Sequence, residues 1–271
     1  MSERAAIDNS GEMPVTIESL VGDLVRLGIQ PEMILLVHSS LSSFGWVCGG
    51  SVAVVYALES AIGPDGTLVM PTHSNELSDP KNWSNPPVPQ RWWQTIRDSM
   101  PAYDAELTPT REMGIIPETF RRQNGVVRSG HPQVSFAARG PHARQITSHH
   151  PLESGLGERS PLSRIYDLAG WILLLGVDHS CNTSLHLAEY RAESAKINTV
   201  RTGAPLLENG IRRWCEFDEL EGDSSDFTRI GEDFALESGL VKQGRIGQAN
   251  AFLMPQRDLV DFASGWIATH R

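Results

Sequence analysis

The 271 residues predict an α/β fold: a single large domain with a mixed, partly antiparallel central sheet flanked by helices. Three observations carry that expectation. Short apolar runs at 33–37, 67–70 and 171–177 have the length and composition of buried strands, and they alternate with segments of helical spacing. Asn209-Gly210 stands between two part-alternating segments, which signals a tight hairpin and therefore antiparallel pairing. The chain closes on 255–268, where Leu259, Phe262, Ala263, Trp266 and Ile267 form one apolar helical face. A hydrophobic content of 40% with 21% charged residues suits a sizeable core and argues against disorder.

The elements follow in order. Residues 1–14 read as an N-terminal tail and 15–271 as the domain. The tail begins with acidic and polar residues and lacks the apolar stretch of a signal peptide. A helix starts at Thr16, with Ile17, Leu20, Val21, Leu24 and Val25 at helical spacing. The strand at 33–37 runs into a Ser/Gly-rich loop and a helix over 51–62. Gly63-Pro-Asp-Gly66 turns the chain into the strand at 67–70. Residues 73–109, rich in Pro and Trp, are too long and too aromatic for a plain connection and read as a substrate or lid loop. A helix over 114–123 and a strand over 134–139 come next. The most apolar strand, 171–177, leads to a helix over 182–192. The apolar run that contains it, 168–177, reaches about half the length of a membrane span. Residues 198–254 form an antiparallel acidic subregion: the hairpin, an acidic helix and one strand near 245–253.

Net charge is −10, and much of it is concentrated. Between 216 and 237 there are nine acidic residues, opposed only by Arg229. That balance excludes a nucleic-acid partner and suits a cationic one. Cys48, Cys181 and Cys215 are odd in number and widely spaced, which argues against disulfides and for the cytoplasm.

Two segments have the form of a functional site. The first is the strand–loop–helix over 35–62. Such a loop offers unpaired backbone N–H groups, yet it matches neither the P-loop nor the dinucleotide fingerprint, and ordinary βα turns look similar. The second is Gly176-Val-Asp-His-Ser-Cys-Asn-Thr-Ser-Leu-His-Leu-Ala-Glu189, directly after the most buried strand, where α/β folds gather their functional groups. With Asn182 or Thr183 as the helix cap, His186 lies in the second turn and Glu189 one turn on, on the same face. A carboxylate beside an imidazole fixes its tautomer and raises its basicity, as a general base requires; a surface His–Glu pair has the same spacing. Asp178 and His179 add titratable groups nearby. His38 follows a buried strand and also faces the strand-end side. Thr110-Arg-Glu-Met-Gly114 and His131-Pro-Gln-Val-Ser135 flank apolar runs and suit loop roles equally well. His149 and His150 are adjacent, so their side chains do not converge on one ion, and no metal site is expected.

In this order the segments resemble the aminoglycoside 3-N-acetyltransferase family. The matching stretches are His38-Ser-Ser-Leu-Ser-Ser-Phe-Gly-Trp46, Gly63-Pro-Asp-Gly-Thr-Leu-Val-Met-Pro-Thr72, Met113-Gly-Ile-Ile-Pro-Glu118, Arg128-Ser-Gly-His-Pro132, Ser135-Phe-Ala-Ala-Arg-Gly140, Leu174-Leu-Gly-Val177 and Asn182-Thr-Ser-Leu-His-Leu-Ala-Glu189. The likeness covers about 15–268. It implies a fold other than the GNAT fold, acetyl-CoA as cosubstrate with no metal, and transfer to the 3-amino group of the 2-deoxystreptamine ring, conferring antibiotic resistance. It also implies that His38, Ser39, Ser40 and Leu41, with Thr72, Thr110, Met113 and Gly114, line the coenzyme site.

The chemistry that follows gives His186 the role of general base, Glu189 that of its orienting partner, and His38 an assisting place. Direct attack in a ternary complex is simpler than an acyl-enzyme, because no cysteine has activating neighbours. A polycationic substrate needs carboxylates, and Glu76, Asp79, Asp178, Glu216, Asp218, Glu219, Glu221 and Asp223 are the candidates. The protein is expected to act as a monomer or homodimer, away from membranes. Transfer to a different amine metabolite is the alternative on the same fold. A serine-type hydrolase would need a G-x-S-x-G elbow, which is missing, and a CoA-binding module leaves the His186–Glu189 pair unexplained.

Overall fold

The computed structural model describes residues 3–8, 10, 13–192 and 198–271; tail positions 1, 2, 9, 11 and 12, and the stretch 193–197 of the expected domain, lie outside the described residues. After α1 (Glu3–Asp8), α2 (Ile17–Leu27) starts where expected. Thr16 accepts from the Ser19 amide, while the Ser19 hydroxyl accepts from the Thr16 amide at 2.9 Å. Leu20, Leu24 and Leu27 form its buried stripe, whereas Ile17 and Val25, expected on that face, stand exposed. Then come β1 (Ile34–Ser39), α3 (Gly50–Ile62), β2 (Thr67–Pro71), α4 (Trp93–Ser99), α5 (Ile115–Arg121), β3 (Val127–Arg128) and β4 (Phe136–Arg139). The chain continues through α6 (Ala143–Thr147), α7 (Pro161–Asp167), β5 (Trp171–Leu175), α8 (Ser184–Arg191), β6 (Thr199–Glu208), β7 (Ile211–Leu220), α9 (Phe227–Ser238), β8 (Lys242–Ile246), β9 (Ala249–Pro255) and α10 (Gln256–His270).

Seven strands form one mixed sheet in the order β3-β4-β2-β1-β5-β9-β8. Its centre, β2-β1-β5, is parallel and each flank is antiparallel. Central strands buried on both faces must be apolar throughout, which is why their sequences read as unbroken hydrophobic runs. Alternate residues feed two cores. Leu35, Val37, Leu173 and Leu175 pack under α2, α3 and α5; Leu36, Ile172 and Leu174 pack under α6 to α10. The result is three layers, helix–sheet–helix, with no helix among the described residues long and apolar enough to cross a membrane.

Two expectations about the second half need correction. The single strand near 245–253 is a hairpin, β8 and β9 folded back at Gly247, whose positive φ of 56° supports the turn. The Asn209-Gly210 hairpin forms as expected, with positive φ at both turn residues, but β6 and β7 pair only with each other and stand off the main sheet.

The long segment after β2 is tied down along its length. The Arg128 guanidinium donates to the carbonyls of Thr72, Ala105 and Thr108 and to the hydroxyls of Ser74, Thr72 and Ser135. The Tyr103 amide donates to the Pro205 carbonyl, and Arg212 reaches Met100, so 73–109 lies against the β6–β7 hairpin.

Candidate active site

The carboxyl ends of β1 and β5 lie side by side, His38 opposite Leu174 and Ser39 opposite Leu175. From β1 the chain crosses through α3 to β2 on one side, while β5 lies on the other. This is the crevice where open α/β sheets take ligands. Gly176 holds the two loops together: it has φ 67°, accepts from the Ser43 hydroxyl at 3.0 Å, and leaves no room for a Cβ, which would lie 2.3 Å from that of Ser43.

A cleft of about 760 Å³ opens there. His38, Ser39, Ser40 and Leu41 line it, as do Met113 and Gly114 from the opposite wall and His186 from α8. Seven of the residues singled out in the sequence thus converge from three separate segments.

His186 lies in the first turn of α8, one turn earlier than expected, because the helix begins at Ser184. The Asn182 side chain accepts from the Ser184 amide at 3.2 Å and caps it. His186 Nδ1 and Glu189 Oε2 are 2.6 Å apart. With Nδ1–H donating to the carboxylate, Nε2 is the basic nitrogen of the ring. Glu189 is buried, which costs heavily for a charged group unless its oxygens are paired. Its second oxygen, Oε1, accepts from the Asp223 amide at 2.8 Å and from Arg271. Phe227 closes the other side of the imidazole, ring centroids 4.8 Å apart and steeply inclined.

His38 is buried beside the dyad, its Nε2 3.4 Å from the Thr183 hydroxyl. Burial, and secondarily the nearby His179, lower its pKa to about 3. It is therefore a neutral donor or acceptor at physiological pH. The sequence reading missed His73, which lines the same cleft. Burial first, then the proximity of His186 and His38, lower its pKa to about 3, and its Nε2 has no hydrogen-bond partner among the described residues. The signal was available: His73 stands just past the carboxyl end of β2, as His38 stands at the carboxyl end of β1. Asn75, Cys181, Thr183 and Ser224 also line the cleft without having been singled out.

The remaining candidates lie elsewhere. Thr72 is buried between Ser135 and Arg128, and Thr110 donates both its amide and hydroxyl to Glu118, so neither lines the cleft. Asp79 is buried and paired with Arg97 at 2.8 Å and Lys81 at 3.8 Å. Asp178 is exposed and does not line the cleft, its carboxylate accepting from the amide and hydroxyl of Ser180. Glu216 and Asp218 flank Arg201 on the hairpin surface. Glu219 turns inward to Tyr190 and the Gly155 amide, and burial pushes its carboxyl up. Glu221 is exposed, its amide bonded to the Asn198 carbonyl; the Asp223 carboxylate accepts from the Ser225 amide. Glu76 lines another hollow of about 450 Å³ that shares Asn75 and Glu112 with the cleft, and its Oε2 has no hydrogen-bond partner among the described residues. The acidic stretch thus faces solvent or the dyad's support rather than the cleft, which spacing along the chain could not reveal.

The family model for aminoglycoside 3-N-acetyltransferase matches residues 36–268. The chain belongs to the aminoglycoside 3-N-acetyltransferase family. It is therefore an acyltransferase, with the fold of these enzymes and not the GNAT fold. The SPbeta prophage-derived aminoglycoside N(3')-acetyltransferase-like protein YokD of Bacillus subtilis (strain 168) is 49% identical, over 96% of this chain and 95% of its own length. The crystal structure of YokD superposes with a TM-score of 0.96 at 46% identity, covering 98% of each chain. Aminoglycoside N(3)-acetyltransferase IX of Micromonospora chalcea is 32% identical over 98% of both. Among family structures, AAC-IIIb in its binary complex with CoASH has a TM-score of 0.85 at 29% identity, covering 94% of this chain and 97% of that one. AAC-VIa bound to sisomicin gives the same score and identity, covering 94% and 98%.

Proposed function

We propose that this protein transfers the acetyl group of acetyl-CoA to the 3-amino group of the 2-deoxystreptamine ring of aminoglycosides, with His186 as general base oriented by Glu189. The observation that carries the reading is the convergence on one cleft of a carboxylate-held imidazole and the 38–41 and 113–114 walls. A family member crystallised with CoASH and another with sisomicin support the choice of ligands.

The residues present fit a pantetheine arm. A Cβ on Gly114 would sit 3.7 Å from the Ser39 carbonyl, so the two walls meet through bare backbone, and the Ser39 hydroxyl is buried without a hydrogen-bond partner among the described residues. Acetyl-CoA supplies the acyl group as a thioester. The substrate amine surrenders a proton to His186 Nε2 as its nitrogen bonds to the acyl carbon; the carbon–sulfur bond breaks, and the proton passes from His186 to the departing sulfur. Glu189 keeps the proton on Nδ1, so that Nε2 presents its lone pair. His38 and His73, both neutral, add hydrogen-bonding groups without competing for charge. In this reading 73–109 forms the substrate-side wall, and Glu76 receives an ammonium group at its outer end.

Purified protein with acetyl-CoA and a panel of aminoglycosides tests the assignment through thiol release, with NMR of the product to locate the acetyl group. Release with at least one drug and acetylation at the 3-amino group are expected. No release with any aminoglycoside, under conditions where the coenzyme binds, would defeat the drug assignment.

A further inference from the structure

Glu189 is held from behind by an assembly drawn from two other, distant parts of the chain, 223–226 and Arg271. Arg271, just beyond α10, donates to Glu189 Oε1, to both carboxylate oxygens of Asp226 ahead of α9, and to the Asp223 carbonyl. The Asp223 amide in turn donates to Glu189 Oε1. One carboxylate oxygen is thereby fully engaged, and only Oε2 remains for His186.

We propose that Arg271 is a positioning residue of the dyad: it locks Glu189 through Oε1 and offsets the carboxylate's charge, so that the His186 imidazole is oriented without being made to hold its proton too tightly. This rests on the reading of His186 as the base. It also accounts for Asp226, a member of the acidic stretch, whose carboxylate seats the guanidinium rather than meeting a substrate; Asp223 contributes only its backbone carbonyl and amide. A buried carboxylate facing an imidazole with no cation behind it would favour imidazolium, which is the spent form of a general base.

Among the described residues, the groups around His186 are few. Glu189 lies on its own helix, Glu219 comes from β7, His73 follows β2, and Asp223, Asp226 and Arg271 meet beyond Glu189; Phe227 contributes an apolar face. Of these, Arg271 is the cation that touches Glu189. Its removal therefore leaves the Glu189 carboxylate without that cation, and replacement by Lys keeps the charge but cannot span Glu189, Asp226 and the Asp223 carbonyl at once.

The test pairs Arg271→Gln and Arg271→Lys with two readouts on the full chain. In NMR titrations of the His186 ring, Arg271→Gln is expected to move the midpoint upward by about half a unit or more relative to the unaltered protein. In kinetics it is expected to lower kcat about 10-fold with the KM for coenzyme nearly unchanged, and to shift the acid limb of the pH profile upward. Arg271→Lys is expected to restore the titration midpoint but only part of kcat. A folded Arg271→Gln protein with an unmoved His186 midpoint overturns the proposal, as does full kcat in Arg271→Lys should the Gln variant not fold. The titration needs no substrate, so it stands apart from any failure of the acetyltransferase assay.

Discussion

The space around the dyad is set at the level of single atoms. Gly222, between the hairpin and α9, lies so close that a Cβ there would come within 2.9 Å of His186 Nδ1 and 3.1 Å of Glu189 Oε2. No real side chain tolerates both distances, so Gly222→Ala must force the imidazole and carboxylate apart. Misplacing a catalytic group by a fraction of an ångström to an ångström costs up to about 100-fold in rate. Gly222→Ala is expected to lose at least about 10-fold in kcat with coenzyme affinity retained, measurable by steady-state kinetics beside a binding titration. Unchanged kcat would mean that the loop yields and does not frame the dyad. Position 222 is invisible in the sequence as a site residue, since it lies 33–36 residues beyond the pair it touches. His186 and Glu189 themselves were legible because helical spacing fixes their neighbourhood locally.

Elements were legible in proportion to their length and to how strongly one face is buried. β1, β2, β5, α2, α3 and α10 announced themselves through apolar runs or stripes. The short helices α6 and α7 did not, although Ser160-Pro161 carries a helix-start signal, because one or two turns hold too few positions to show a period. The β8–β9 turn was hidden as well: β8 is exposed for most of its length and has no apolar face to read. Nor could spacing show that 73–109 is fastened by a half-buried guanidinium. Arg128 has six oxygen partners from the sheet end and the long segment, and none is a carboxylate. Arg128→Met would leave these acceptors unmet, at about 2–4 kcal/mol. For a chain of this size that predicts a fall in Tm of roughly 5–12 °C, checked by calorimetry. A change of less than about 1 °C would show that the segment holds without its staple.

Across the whole molecule, the fold keeps several histidines neutral. Burial is the leading cause at each of His38 and His73, lowered to about 3, and of His131 and His179, lowered to about 4. Unfolded histidines titrate near 6.5. Their contribution to stability is therefore complete above about pH 6.5 and is lost as pH falls toward 4, because the unfolded chain takes up protons that the folded chain refuses. Each histidine contributes at most about 1.4 kcal/mol per pH unit in that window. Tm is expected to drop steeply between pH 6.5 and 4.5, and a flat Tm across that range would contradict the assignment of these groups as buried and neutral. The layered α/β architecture was readable from the alternation of runs and stripes. The meeting of β1, β2 and β5 ends at one cleft was readable only in outline, since strand order is a long-range property that no local pattern encodes.

In the proposed reaction His186 takes the proton from the substrate amine. His186→Ala compared with the unaltered protein in single-turnover acetyl transfer, with CoA affinity measured by calorimetry on the same preparations, checks that role. The expected rate is lower by about 100-fold or more, with CoA affinity within about two-fold. A variant that turns over at the original rate, with the coenzyme bound as before, would contradict it.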